Sequence, residues 1–211
     1  MSIISIIDCA TETLTNNCYN RLVEYFTIPM KFHCPSLYGM DSLKDDSSSA
    51  YIIFGSYSNV VDRLNWQKDL ALFIDKKLQE GIPILGICFG HQLMADFYGA
   101  RVVNNINNES YQGVRKVNTQ NKELSLFVAH SYQVEEVPSC FMNLGASSLC
   151  TNEIIKHRDL PFTGIQGHPE ASQFFLDTTL KGVKMTKLEI ELASKDGIEF
   201  IESFLKEYSL L

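Results

Sequence analysis

Ser2 to Ile7 (SIISII) is an almost unbroken β-branched run, the pattern of a strand buried on both faces as in a parallel sheet. Leu14, Cys18, Leu22 and Tyr25 then recur at helical spacing behind Thr11 and Thr13, which predicts a helix over about 12–26. Met30 to Cys34 predicts a second strand. The Ser/Asp-rich stretch 35–49 has no face to bury and predicts a surface loop. Tyr51 to Phe54 is a third apolar run, closed by Gly55 and Ser56. Trp66, Leu70, Phe73, Ile74 and Leu78 mark one face of a helix stopped by Gly81 and Pro83. Ile84 to Ile87 predicts the next strand, and a helix with Leu93, Met94 and Phe97 inward follows, ended by Gly99. This alternation is the grammar of a doubly wound α/β sheet. From Arg101 it changes to short strands, at 101–103, 111–117, 125–130, 141–144 and 147–157, predicting an antiparallel flank. Thr163 to Gln166 predicts one more strand. Ile198, Ile201, Leu205 and Tyr208 share the face of a last helix, opened by Asp196 with Glu199 three residues on.

The 211 residues suit one domain, residues 1–211, and 45% hydrophobic with 20% charged residues excludes disordered and fibrous classes. A net charge of −7 argues against a nucleic-acid partner. No apolar run approaches the ~18 residues of a membrane helix, and no basic leader region opens the chain, so a cytoplasmic protein away from membranes is expected. The cysteines at 9, 18, 34, 88, 140 and 150 have neither C-x-x-C spacing nor a disulfide framework and are expected as reduced thiols. No Cys or His pair has metal-ligand spacing and no Gly-rich phosphate loop carries a Lys, so neither metal nor cofactor is expected.

Five of the six cysteines read as small buried hydrophobes. Cys88 differs: it sits between Gly86 and Gly90, after an apolar strand and before a helix, the layout of a sharp strand-to-helix turn that presents a nucleophile. Glycines at those places tolerate the tight backbone, and the helix N-terminus favours a thiolate. Such a thiolate needs a base and a group to orient that base. His168 follows a predicted strand, with Glu170 two residues on, so one loop at the sheet edge offers both. His91, at the start of the helix after Cys88, reads as a packing or capping residue. His33 and His157 read as structural, and His130 as packing or as part of a site loop.

Gly86 to Gln92 (GICFGHQ) with Gly167 to Glu170 (GHPE), about eighty residues later, resembles the class-I, triad-type glutamine amidotransferase family. The likeness spans about residues 51–175. Gly55 to Val60 (GSYSNV), with Asp62 and Trp66, is similar to the corresponding loop of the stand-alone branch related to the amidotransferase domain of GMP synthase. The resemblance implies a flavodoxin-like, mostly parallel sheet with an antiparallel flank. It implies Cys88 as nucleophile, His168 as base and Glu170 as its orienting group. It also implies an oxyanion hole from the Phe89 amide and the Gly55–Ser56 loop, and glutamine contacts from Gln92 and the Ser131–Tyr132 backbone.

Tyr57 stands where the family has Pro, and Tyr132 where the GMP synthase branch has Asp; both border the implied substrate cavity. The first expectation is therefore an L-glutamine amidotransferase subunit that feeds ammonia to a separate synthetase subunit. The second is an independent hydrolase of a γ-glutamyl compound, and the third a silent regulator on the same fold.

Overall fold

The computed structural model describes residues 2–211. Its core is five parallel strands, β1 (Ile4–Ile7), β2 (Met30–His33), β3 (Ala50–Ile53), β4 (Ile84–Ile87) and β11 (Phe162–Ile165), in the order β2-β1-β3-β4-β11. The sheet continues antiparallel through β10 (Ile154–His157), β9 (Phe141–Ala146), β6 (Tyr111–Thr119) and β7 (Glu123–His130), reaching nine strands. The strand order 2-1-3-4-5 in the parallel part is that of flavodoxin-like sheets. A separate two-stranded ribbon joins β5 (Arg101–Asn104) to β8 (Tyr132–Glu136).

The β-branched runs explain why this sheet is buried on both sides. Alternate side chains face opposite ways. Ile4, Ile6, Ile52, Leu85 and Ile165 pack with Leu22 of α1 (Asn16–Tyr25) and Ile201 and Leu205 of α7 (Lys187–Glu207). Ile7, Tyr51, Ile53 and Ile84 pack with Leu70, Ile74 and Leu78 of α4 (Asn65–Gln79) and Met94 of α5 (Phe89–Phe97). At ~25 cal/mol per Å² of apolar surface removed from water, these two layers are the main source of stability.

Four local expectations change. The polar stretch 35–49 is not bare loop but holds two single-turn helices, α2 (Pro35–Tyr38) and α3 (Asp41–Lys44). Its buried Asp46 accepts hydrogen bonds from Ser5 at 2.5 Å and Lys31 at 3.0 Å, so the polar residues are used internally. The strand expected at 147–157 is confined to Ile154–His157, because the chain turns at Ser147–Cys150. β8 and α6 (Gln173–Thr178) appear where none was predicted. Finally, α7 starts at Lys187 rather than Asp196. Thr186 and Glu189 form a reciprocal capping box, and Asp196 instead accepts from the Ser125 amide of β7 at 2.7 Å. Among the described residues no helix is long and apolar enough to cross a membrane.

Candidate active site

Gly55–Ser56, Cys88 and His168 each follow the carboxyl end of a parallel strand, β3, β4 and β11 respectively, so the topology brings them to one edge of the sheet. Cys88 caps α5 with φ 48° and ψ −97°, a backbone region that non-glycine residues rarely occupy. Its amide donates to the Ile165 carbonyl at 2.8 Å, which ties the turn to β11. The flanking glycines are required by space. A Cβ on Gly86 would lie 2.7 Å from the Gly90 carbonyl carbon, and one on Gly90 would lie 2.7 Å from the Ile53 Cβ. Phe89 is the first residue of α5, so its amide is among the helix N-terminal donors without an intrahelical acceptor.

His168 is buried, and its amide donates to the Phe127 carbonyl at 2.7 Å. Its Nδ1 lies 2.9 Å from Oε1 of the equally buried Glu170. Burial alone would lower the imidazole pKa, but the charges of Glu170 and Cys88 and the hydrogen bond to Glu170 outweigh it. The net direction is well above the usual 6.5. Gly55 leaves the room for this arrangement: a Cβ there would lie 2.8 Å from His168 Cε1 and 3.6 Å from Cys88 Cβ. Burial pushes the thiols of Cys9, Cys18, Cys34 and Cys150 up, to about 12 for Cys18 and Cys150, which disfavours their thiolates at neutral pH.

A cavity of about 230 Å³ opens beside Cys88. Phe89, Ser56, Gln92, Ser131 and Tyr132 line it, so the structure brings these sequence-predicted residues together, and Tyr57 stands at its side. Gly55 instead lines, together with His168 and Glu170, a smaller cavity of about 80 Å³. The Gln92 side chain donates to the Tyr132 carbonyl at 2.7 Å and to Gln166 Oε1 at 3.0 Å. The exposed Tyr57 hydroxyl is 3.3 Å from Thr179 Oγ1, bridging the loop after β3 to the C-cap of α6. His91 packs fully buried against Gly164, with its pKa lowered to about 3 by burial, which fits the packing reading.

Sequence reasoning missed Gln166 and Thr179. Gln166 is fully buried and its Nε2 lies 3.6 Å from Cys88 Sγ. Its place just after β11 and two residues before His168 was the available signal. Thr179 gave none, because α6 itself was not foreseen.

The sequence profile of the family described as "Glutamine amidotransferase class-I" matches residues 5–181. The chain belongs to the class-I glutamine amidotransferases. Glutamine amidotransferase is accordingly its enzyme class, with a cysteine as the family's nucleophile. This amidotransferase is 29% identical over 191 residues to a glutamine-hydrolysing GMP synthase subunit of Methanococcus maripaludis strain C5, covering 86% of this chain and 92% of the relative. It is 32% identical over 163 residues to the protein of the same name from Methanothermobacter thermautotrophicus, covering 74% and 82%. A solved glutamine amidotransferase from Thermotoga maritima superposes with a TM-score of 0.73 at 18% identity, covering 99% of this chain and 98% of the other. One from Methylobacillus flagellatus gives 0.70 at 18%, covering 100% and 94%. At such identities the structural likeness shows the shared α/β fold.

Proposed function

We propose that this amidotransferase, acting as one domain over residues 1–211, hydrolyses the side-chain amide of L-glutamine through Cys88, His168 and Glu170 and supplies the ammonia to a separate synthetase subunit. The observation that carries the reading is the buried imidazole of His168, held by Glu170 at 2.9 Å on one nitrogen and next to Cys88 at the start of α5. The thiol proton passes to His168, a transfer that its raised pKa favours. The Cys88 sulfur attacks the carboxamide carbon, forming the C–S bond and placing the charge on oxygen. The Phe89 amide and an amide of the Gly55–Ser56 loop meet that oxyanion, each such donor typically contributing ~2.7–4 kcal/mol. His168 returns the proton to nitrogen as the C–N bond breaks and ammonia leaves. Water, deprotonated by His168, then cleaves the glutamyl thioester and releases glutamate. Gln92 and the Ser131–Tyr132 backbone hold the amino-acid end. The word "subunit" in the relatives' names supports the separate acceptor chain.

The test is glutaminase activity of the purified chain with single substitutions. Cys88→Ala and His168→Ala are expected to fall by at least about 10³-fold, and Glu170→Ala by less, because an orienting group is less essential than nucleophile or base. Wild-type turnover by Cys88→Ala would end this reading. Tyr57 and Tyr132 at the cavity favour, as a second reading, an independent γ-glutamyl hydrolase. Rapid cleavage of γ-glutamyl peptides by the chain alone, unchanged by a synthetase subunit, would select it.

A further inference from the structure

Behind the Tyr132 carbonyl lies a buried ion pair that the triad does not use. Arg115 of β6 and Glu153, just before β10, are 8% and 0% exposed, with Nη1 donating to Oε1 at 3.0 Å. The same Nη1 is 3.1 Å from His130 Nε2. A guanidinium cannot accept, so Nε2 is the acceptor and the His130 proton sits on Nδ1. That N–H donates to the Tyr132 carbonyl at 2.9 Å, the same oxygen that takes the Gln92 hydrogen bond. Glu153 reaches the site by a second route as well. Its backbone carbonyl accepts from the Gln166 amide at 2.8 Å, and the Gln166 side chain joins Gln92 to Cys88. Ser147 donates to Glu153 Oε1 at 2.7 Å, and the Tyr111 ring covers the Arg115 guanidinium at 4.8 Å. A continuous run of hydrogen bonds of 2.7–3.1 Å thus joins the pair to the Tyr132 carbonyl and Gln92 at the cavity.

We propose that Arg115 and Glu153 are positioning residues for the glutamine subsite, acting through His130 and Gln166 to fix the orientation of Gln92 and the Tyr132 carbonyl. The inference rests on the glutaminase reading above. A desolvated ion pair is a poor source of stability for its own sake, since an uncharged pair of similar size often serves as well. Its use here is to hold one tautomer of one imidazole. Burial, then the Arg115 charge, lower the His130 pKa to about 3, against an opposing hydrogen bond to Tyr132; His168 and His91 are the other charges felt, and Tyr111 packs edge-on. His130 is therefore a neutral, fixed donor throughout the physiological range.

The experiment compares the unsubstituted chain with Arg115→Gln/Glu153→Gln, which removes both charges and strands neither, and with His130→Asn, which leaves the pair intact. For the double variant the expected result is a KM for glutamine raised about fivefold or more, the effect of losing one hydrogen bond's worth of orientation, with kcat within about twofold. Labelling of Cys88 by a glutamine-shaped chloroketone should slow in both variants, while labelling by iodoacetamide, which does not use the subsite, should not. Unchanged KM in the folded double variant would overturn the proposal. So would equal slowing of both reagents, which would mean a generally loosened site, and so would chloroketone labelling of His130→Asn at the unsubstituted rate. No glutaminase activity in the unsubstituted chain would overturn the parent reading, and this one with it.

Discussion

Cys88 holds φ 48° and ψ −97°, and such strain persists only where the surroundings over-determine it. Here the surroundings are the Ile165 carbonyl and the close approach of Gly86 to Gly90 and of Gly90 to Ile53. Gly55 is different in kind, because what its missing side chain would strike is the His168 ring and not backbone. Gly55→Ala should therefore leave the fold intact and push the imidazole aside. A displacement near 1 Å costs roughly 10²-fold in rate. The expected outcome is glutaminase activity lowered about a hundredfold with a melting temperature within a few degrees of the original; equal activity would place the base elsewhere. A second residue-scale prediction concerns the thiols. Burial raises Cys9, Cys18, Cys34 and Cys150, and neither these nor the part-exposed Cys140 line the cavity beside Cys88, so a glutamine-shaped alkylator should modify Cys88 alone, checked by peptide mass mapping. Even labelling of Cys9, Cys34 and Cys88 would contradict it.

At the scale of elements, the loop that carries His168 and Glu170 is clamped from two helices. Arg21 of α1 donates to the Pro169 carbonyl at 3.3 Å, to the Ala171 carbonyl, and to the Ser194 carbonyl of α7 at 2.9 Å. On α7, a Cβ at Gly197 would lie 2.8 Å from Pro169 Cα and from its carbonyl oxygen, so helix and loop touch backbone to backbone. Gly197→Ala gains helix propensity locally yet must move that loop. It should lower kcat while glutamine KM changes little, and a kcat equal to the original would show that the loop is set by β11 alone. Little of this clamp was legible in the sequence, because Gly197 and Arg21 both act on a segment distant in the chain. The local geometry was more legible: Gly86, Cys88 and Gly90 form one compact turn, and His168 with Glu170 one loop, so the roles proposed for them rest on neighbours in sequence. Boundaries fell between these cases. Asp196 with Glu199 has capping-box spacing next to the apolar stripe, but the structure forms that box at Thr186 and Glu189 and turns Asp196 to the Ser125 amide. β8 escaped because Ser131 alone separates it from β7 and it joins another sheet.

For the whole molecule, the histidines divide into two groups that set opposite limits on the pH range of stability. His33, His91, His130 and His157 have pKa values lowered first of all by burial, to about 3 for His91 and His130. The unfolded chain takes up protons at these groups as pH falls through 6.5, while the folded chain refuses them, so stability declines on the acid side. Each fully refused proton contributes a slope of about 1.4 kcal/mol per pH unit. His168 runs the other way. Burial opposes its charge, but Glu170 and Cys88 prevail and raise its pKa, so its contribution is complete below 6.5 and is lost as pH rises through the folded value. Asp8, raised by burial against hydrogen bonds from Thr15 and Ala10, softens the decline only at the acid end. Unfolding free energy from urea titration should therefore fall between pH 6.5 and 5. In His130→Asn that slope should shrink by about 1.4 kcal/mol per unit, one histidine's share. An identical slope in the variant would mean that His130 is charged in the folded chain, which is incompatible with Arg115 at 3.1 Å on its Nε2.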